Sequence, residues 1–97
     1  MTDNIHHNIP QSRFECGETE NLAICEYQDR DGVWVFTHTY VPNKLRGRGI
    51  AERLVRFALE TARDQKKKIE PQCSYVVAFL SRHPVFQNLT QSTENER

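Results

Sequence analysis

Two arginines and two glycines alternate at positions 46–49 of this 97-residue chain, Arg46-Gly47-Arg48-Gly49. Those residue types at that spacing suit the binding of a phosphate. Glycine lets the backbone come close to an anion, and unpaired N–H groups at a helix start point towards it. Arg46 and Arg48 add full charges beside the positive end of the helix dipole. The flanks complete the arrangement. A β-branched and aromatic run over residues 33–41 stops at Pro42, and an amphipathic pattern begins at Ile50. Strand, glycine-arginine turn and helix together point to a phosphorylated cofactor. No strand-first dinucleotide unit and no Walker lysine direct that reading to another nucleotide.

The elements that must position this loop are legible on both sides of it. Ile50, Ala51, Leu54, Val55, Ala58, Leu59 and Ala62 fall on one broad face at helical spacing. Glu52, Arg53, Arg56, Glu60, Arg63, Asp64 and Lys67 occupy the other. Lys66, Lys67 and Lys68 complement the negative helix end, which favours a solvated terminus over a basic patch. Upstream, residues 12–16, 21–28 and 33–41 read as three strands. Asp29-Arg30-Asp31-Gly32 forms a hairpin loop in which Gly32 supplies a positive φ. In the third strand Val33, Val35, Thr37, Thr39 and Val41 would share one face, and Trp34, Phe36, His38 and Tyr40 the other. Downstream, residues 68–73 are extended but interrupted by Pro71. Ser74 would cap a short helix over 75–82, ended by Pro84. The expectation is an α/β (α+β) fold: a three-stranded antiparallel meander, a helix, a fourth strand and a short C-terminal helix. Residues 1–8 are expected to be a flexible N-terminus, 9–89 one domain, and 90–97 a flexible tail.

Composition narrows the class. Thirteen basic and 13 acidic side chains give a formal net charge of zero, so no global field argues for nucleic acid or an anionic membrane. Hydrophobic residues make up 37%, enough for a small core of marginal size whose stability a bound ligand would raise. Cys16, Cys25 and Cys73 are odd in number and lack metal-ligand spacing, so they read as reduced thiols. His6-His7 is too short for a metal tract. No apolar run reaches the roughly 20 residues of a membrane span. The expected setting is intracellular and cytoplasmic.

Beyond the loop, the residues resemble a known family. Arg46-Gly47-Arg48-Gly49-Ile50-Ala51 fits the Arg/Gln-x-x-Gly-x-Gly/Ala signature of the GNAT superfamily of acetyl-CoA-dependent N-acetyltransferases. Ser12-Arg13-Phe14-Glu15, His38-Thr39-x-Val41-Pro42, Pro71-x-Cys73 and Arg82-His83-Pro84-x-Phe86 resemble a subgroup of very small GNAT-like proteins, over roughly residues 8–89. The resemblance implies a minimal GNAT-like fold and acetyl-CoA or CoA as cofactor. It implies that backbone amides of Arg46, Gly47, Arg48, Gly49, Ile50 and Ala51 hold the pyrophosphate. Thr39 and Val41 would pair their backbone with the pantetheine arm, and Cys73 would lie near the thioester. The acceptor would be an amine on a protein, a peptide or a small molecule, met by a monomer or weak homodimer.

The chemistry so implied is aminolysis of a thioester. A lysine-like amine, with an unperturbed pKa of ~10.4, must first lose a proton. The site therefore needs a base or desolvation, donors for the developing oxyanion, and a proton source for the leaving thiolate. His38, Tyr40 and Cys73 are the catalytic candidates. His38 could be the base or make a structural hydrogen bond. Cys73 could be an acyl-accepting nucleophile, a proton donor or a small packing residue. Cys16 and Cys25 read as core packing, and His83 as a helix-end residue. Two positions depart from the subgroup: Tyr40 stands where glutamate is often expected, and Ser74 where proline commonly follows the cysteine. The alternatives are a CoA-binding module with little turnover, acting as a sensor or interaction protein, and an arginine loop contacting nucleic-acid phosphate.

Overall fold

The computed structural model describes residues 4–18 and 20–90. Its strands are β1 (Ile5–Asn8), β2 (Arg13–Glu18), β3 (Asn21–Arg30), β4 (Val33–Tyr40) and β5 (Lys68–Pro71). Its helices are α1 (Ile50–Asp64) and α2 (Ser74–Arg82), with 3-10 turns at Ile9–Gln11, Asn43–Leu45 and Pro84–Leu89. The strands form one sheet in the order β1-β2-β3-β4-β5. The first four are mutually antiparallel, and β5 is parallel to β4. A parallel neighbour requires a long crossover, and α1 provides it. The mixed α/β architecture expected from the sequence is present.

The sheet has one strand more than expected. Ile5–Asn8, inside the segment read as a flexible N-terminus, pairs with β2 from Ile5↔Cys16 to Asn8↔Arg13. Its four residues show little apolar alternation, so periodicity could not reveal it. It is anchored by His7, whose ring stacks on Phe14 at 4.1 Å and whose Nε2 lies 2.7 Å from the Tyr27 hydroxyl. Of the tail, Thr90 forms a parallel bridge with Ile69, and residues 91–97 lie outside the described residues.

The hairpin between β3 and β4 turns on Asp31 (φ 58°) and Gly32 (φ 86°). Two consecutive left-handed residues make the Asp-Gly turn that matches strand twist. Both helices cover one face of the sheet. α1 buries Ile50, Leu54, Val55, Ala58, Leu59 and Ala62, and α2 buries Val76, Phe79 and Leu80. They pack on Phe14, Cys16, Ala23, Cys25, Tyr27, Trp34 and Phe36. Each fully buried Leu or Phe there contributes about 1.5–3 kcal/mol. Cys16 and Cys25 are core residues. The opposite face mixes charged and polar side chains such as Glu26 and Glu70 with aliphatic ones, Ile24 and the buried Val35 among them.

Two local features differ from the expectation. Ser74 is the first residue of α2 and Cys73 its cap residue; neither makes a side-chain cap bond. The second difference is a β-bulge. Tyr27 pairs with Phe36 but Glu26 pairs with His38, which leaves Thr37 as the extra residue on β4. A bulge reverses the alternation of faces beyond it. Trp34 and Phe36 are buried under the helices, while His38 and Tyr40 are exposed on the opposite face beside Glu26 and Ile24. The four even positions do not share one face; the bulge divides them in pairs.

Candidate functional site

The bulge coincides with a split in the sheet. Pairing between β4 and β5 ends at Phe36↔Pro71, because Pro71 cannot donate to a ladder. The Phe36 carbonyl accepts the N–H groups of both Gln72 (2.9 Å) and Cys73 (3.0 Å), and the chain then turns into α2. Among the described residues no strand pairs with β4 on that side from residue 37 onward. A gap opens there between the end of β4 and the start of α2.

Cys73 sits in this gap. Its S–H donates to Thr39 Oγ1 at 3.4 Å, and the Thr39 hydroxyl donates onward to Cys25 Sγ at 3.9 Å. Burial pushes the Cys73 thiol up, but the Thr39 hydroxyl and the backbone amides of Val76, Tyr75 and Thr39 outweigh it, and the net shift is downward. A thiol at a helix start gains thiolate character for this reason. Cys25 is the contrast: burial pushes its thiol up to about 12.

At the other end of the gap lies the glycine-arginine loop. Gly47 (φ 83°) and Gly49 (φ 72°) both adopt left-handed conformations, which side chains resist. Gly49 is the cap residue of α1 and provides no side-chain cap, so the amides of Gly49, Ile50, Ala51 and Glu52 have no intrahelical acceptor. A Cβ on Gly47 would meet nothing within 4 Å, and one on Gly49 would lie 3.6 Å from Arg53 Nη1. The loop is open, with the Arg53 guanidinium folded over it. A groove of about 190 Å³ adjoins it, lined by Val41, Leu45, Gly47, Gly49, Ile50 and Tyr75 among others.

Most of the residues singled out from the sequence converge on this region, but in altered groupings. Gly47, Gly49, Ile50 and Ala51 line the groove, as does Val41. Arg46 also lines it, yet its Nε donates to the Val41 carbonyl at 2.9 Å and its N–H to the Asn43 carbonyl at 3.2 Å. It braces the loop from its exposed side, and its amide is engaged within the preceding turn. Arg48 is exposed. Cys73 meets Thr39, not His38 or Tyr40, whose side chains lie on the opposite face with ring centres 6.5 Å apart and planes within 9°. Tyr75, Leu45, Glu52 and Arg53 are not assigned to the site by the sequence reading, which places Glu52 and Arg53 on the polar face of the helix. Arg53 carried a signal, since a basic residue one turn into a helix can fold back over its start; Tyr75 carried none.

The fold and the loop define a class: an α/β domain that presents an open, glycine-capped helix start beside a split sheet. A family model described as GCN5-related N-acetyl-transferase matches residues 13–89, and the chain belongs to that family. The proteins NATD1 of Bos taurus and of Homo sapiens are each 36% identical to it over 52 residues, 54% of this chain and 46% of theirs. The chain spans about half the length of the curated relatives it matches. A GCN5-like protein of Staphylococcus aureus, solved by NMR in solution, superposes with a TM-score of 0.72 at 27% identity, over 90% of this chain and 86% of its own.

The family's cofactor, acetyl-CoA, fits the residues present. The open amides and left-handed glycines suit a pyrophosphate; Arg48 is exposed in the same loop, and Arg53 Nη1 lies 3.6 Å from where a Cβ on Gly49 would stand. Val41, Ile50 and Tyr75 offer apolar wall to an extended arm leading towards Cys73.

Proposed function

We propose that this chain binds acetyl-CoA and transfers its acetyl group to an amine. The supporting observation is the continuity of one path: open amides at Gly49–Ala51, a groove past Val41 and Tyr75, and a thiol with lowered pKa in the sheet gap. When bound, the cofactor supplies the acetyl group as a thioester. The loop amides and Arg48 hold phosphate; the edge of β4 at Thr39, which no strand covers on that side among the described residues, and the Val41 backbone beyond it orient the arm as an added strand would. Cys73 lies where it can accept an acyl group or give a proton to a departing thiolate. His38, exposed on the far face, is placed to take the amine's proton and pass it to water.

Calorimetry with acetyl-CoA tests the reading, using wild type beside Gly49→Trp. Micromolar binding, worth about 8 kcal/mol, is expected for wild type and none for the variant. Folded wild type that binds neither acetyl-CoA nor CoA would sink the proposal. A second reading, a CoA-binding module with little turnover, draws support from Tyr40 in place of a carboxylate and from the separation of His38 and Cys73 by the sheet. Time-dependent acetylation of added amines, followed by mass spectrometry, decides between them.

A further inference from the structure

The first turn of α1 carries a charge of the wrong sign for an anion site. Glu52 is the third residue after the Gly49 cap, and it lines the same groove as Gly47 and Gly49. In a capping box, a glutamate at that position reaches back to the N–H of the cap residue. Turned that way, the Glu52 carboxylate would take up the Gly49 amide and set a negative charge where a phosphate has to come. It points elsewhere. Its Oε2 accepts from Arg56 Nη2 at 3.1 Å, one turn further along α1, and lies 3.5 Å from His83 Nε2.

Both partners of Glu52 are located by α2. The His83 backbone N–H closes the end of that helix, donating to the Phe79 and Leu80 carbonyls at 3.0 and 3.3 Å. Pro84 follows and disfavours a helical conformation at His83, which adopts φ −131° and ψ 76°. The imidazole packs on the buried Phe79 ring with ring centres 4.3 Å apart. The Arg56 guanidinium carbon stands 5.5 Å from the centre of the same ring, within cation–π range. One buried ring thus places both groups that hold the carboxylate. The double hold matters, because an exposed i,i+4 pair by itself is a weak restraint. His83 adds a second contact from another helix.

We propose that His83 and Arg56 are positioning residues for phosphate binding. They act through Glu52, holding its carboxylate away from the Gly49 amide and so leaving the start of α1 open to the pyrophosphate of acetyl-CoA. This role rests on the acetyl-CoA reading of the groove. Without either partner, Glu52 becomes a competing anion built into the chain, which the cofactor must displace before it binds. The far end of α2 thereby acts on cofactor affinity through one carboxylate.

Calorimetry of acetyl-CoA binding to the full chain tests this as a mutant cycle. His83→Gln and Arg56→Gln should each weaken binding about fivefold. Adding Glu52→Gln to either should restore the affinity to that of Glu52→Gln alone. A merely structural loss at the end of α2 would persist in the Glu52→Gln background. That result, or wild-type affinity in both single variants, would overturn the assignment. Should His83→Gln not fold, Arg56→Gln carries the cycle alone. Proton–nitrogen spectra of the ¹⁵N-labelled chain without ligand read the carboxylate directly. The Gly49 amide proton should move downfield in each single variant and return when Glu52→Gln is added. A Gly49 amide that ignores all these changes would refute the movement of Glu52. Wild type that binds no acetyl-CoA refutes the underlying function instead, and the Gly49 shifts still decide where Glu52 sits.

Discussion

A single hydroxyl separates two thiols of opposite character. Thr39 lies between Cys73, at a helix start, and Cys25, sealed in the core. Turned to donate to Cys73, it favours the thiolate there, while burial denies one to Cys25. Iodoacetamide should therefore modify Cys73 first in the folded protein, with a pH midpoint below the ordinary thiol value of 9.0. Cys25 should react only after unfolding, because its burial acts on both access and ionisation. Thr39→Val removes the hydroxyl and should move the Cys73 midpoint upward. An unchanged midpoint would assign the whole effect to the amides of α2. Mass mapping of the alkylated peptides across a pH series reads both outcomes.

At the level of elements, the anion loop is held by backbone geometry. Gly49→Ala forces a side chain into a left-handed residue, costing about 1–2 kcal/mol. For a domain of this size that corresponds to a fall in Tm of about 4–16 °C. Its nearest neighbour would be Arg53 Nη1 at 3.6 Å, ordinary contact, so the loss reflects φ, not a clash. A Tm equal to wild type would show that the loop rearranges without penalty. The added strand β1 makes a pH prediction. Burial, then repulsion from His6, lowers the His7 pKa below its ordinary 6.5. A depressed histidine favours the neutral form in the fold, so its contribution is full above pH 6.5 and declines as pH falls. The protection of β1 amides relative to their intrinsic exchange rates should therefore fall below that pH. His7→Phe, which keeps the stack on Phe14, should flatten the dependence.

The whole molecule is a two-layer domain with one core. Phe36 is fully buried and packs at the step where the bulge begins. Phe36→Ala should cost about 3–5 kcal/mol, a large part of the 5–15 kcal/mol typical of a native domain. Thermal unfolding should show the variant largely or wholly unfolded at 37 °C. Ligand linkage acts in the other direction. Acetyl-CoA at 100 times its Kd should add about 2.7 kcal/mol to the wild type. Calorimetric scans with and without the cofactor measure it, and an unmoved Tm would count against binding.

Much of this was legible in the chain itself. Helix α1 and the loop before it follow from local chemistry: apolar spacing decides the buried face, and glycine between arginines decides where an anion can approach. The Asp31-Gly32 turn is equally local. The residues that resisted reading depend on partners distant in sequence. β1 exists because His7 reaches Phe14 and Tyr27 across two strands. Arg46, read from the sequence as a phosphate ligand, also ties the loop to the end of β4 through the Val41 carbonyl, a contact its sequence position does not show. Most consequentially, alternation along 33–41 placed His38 and Tyr40 with Phe36, and one extra residue against β3 moved them to the other face. Amino-acid types determined that this protein offers a glycine-rich helix start with open amides, a strand beside it and a thiol nearby. Cross-strand register alone decided which side chains face that thiol, because a strand's own sequence carries its alternation but not the step at which its neighbour interrupts it.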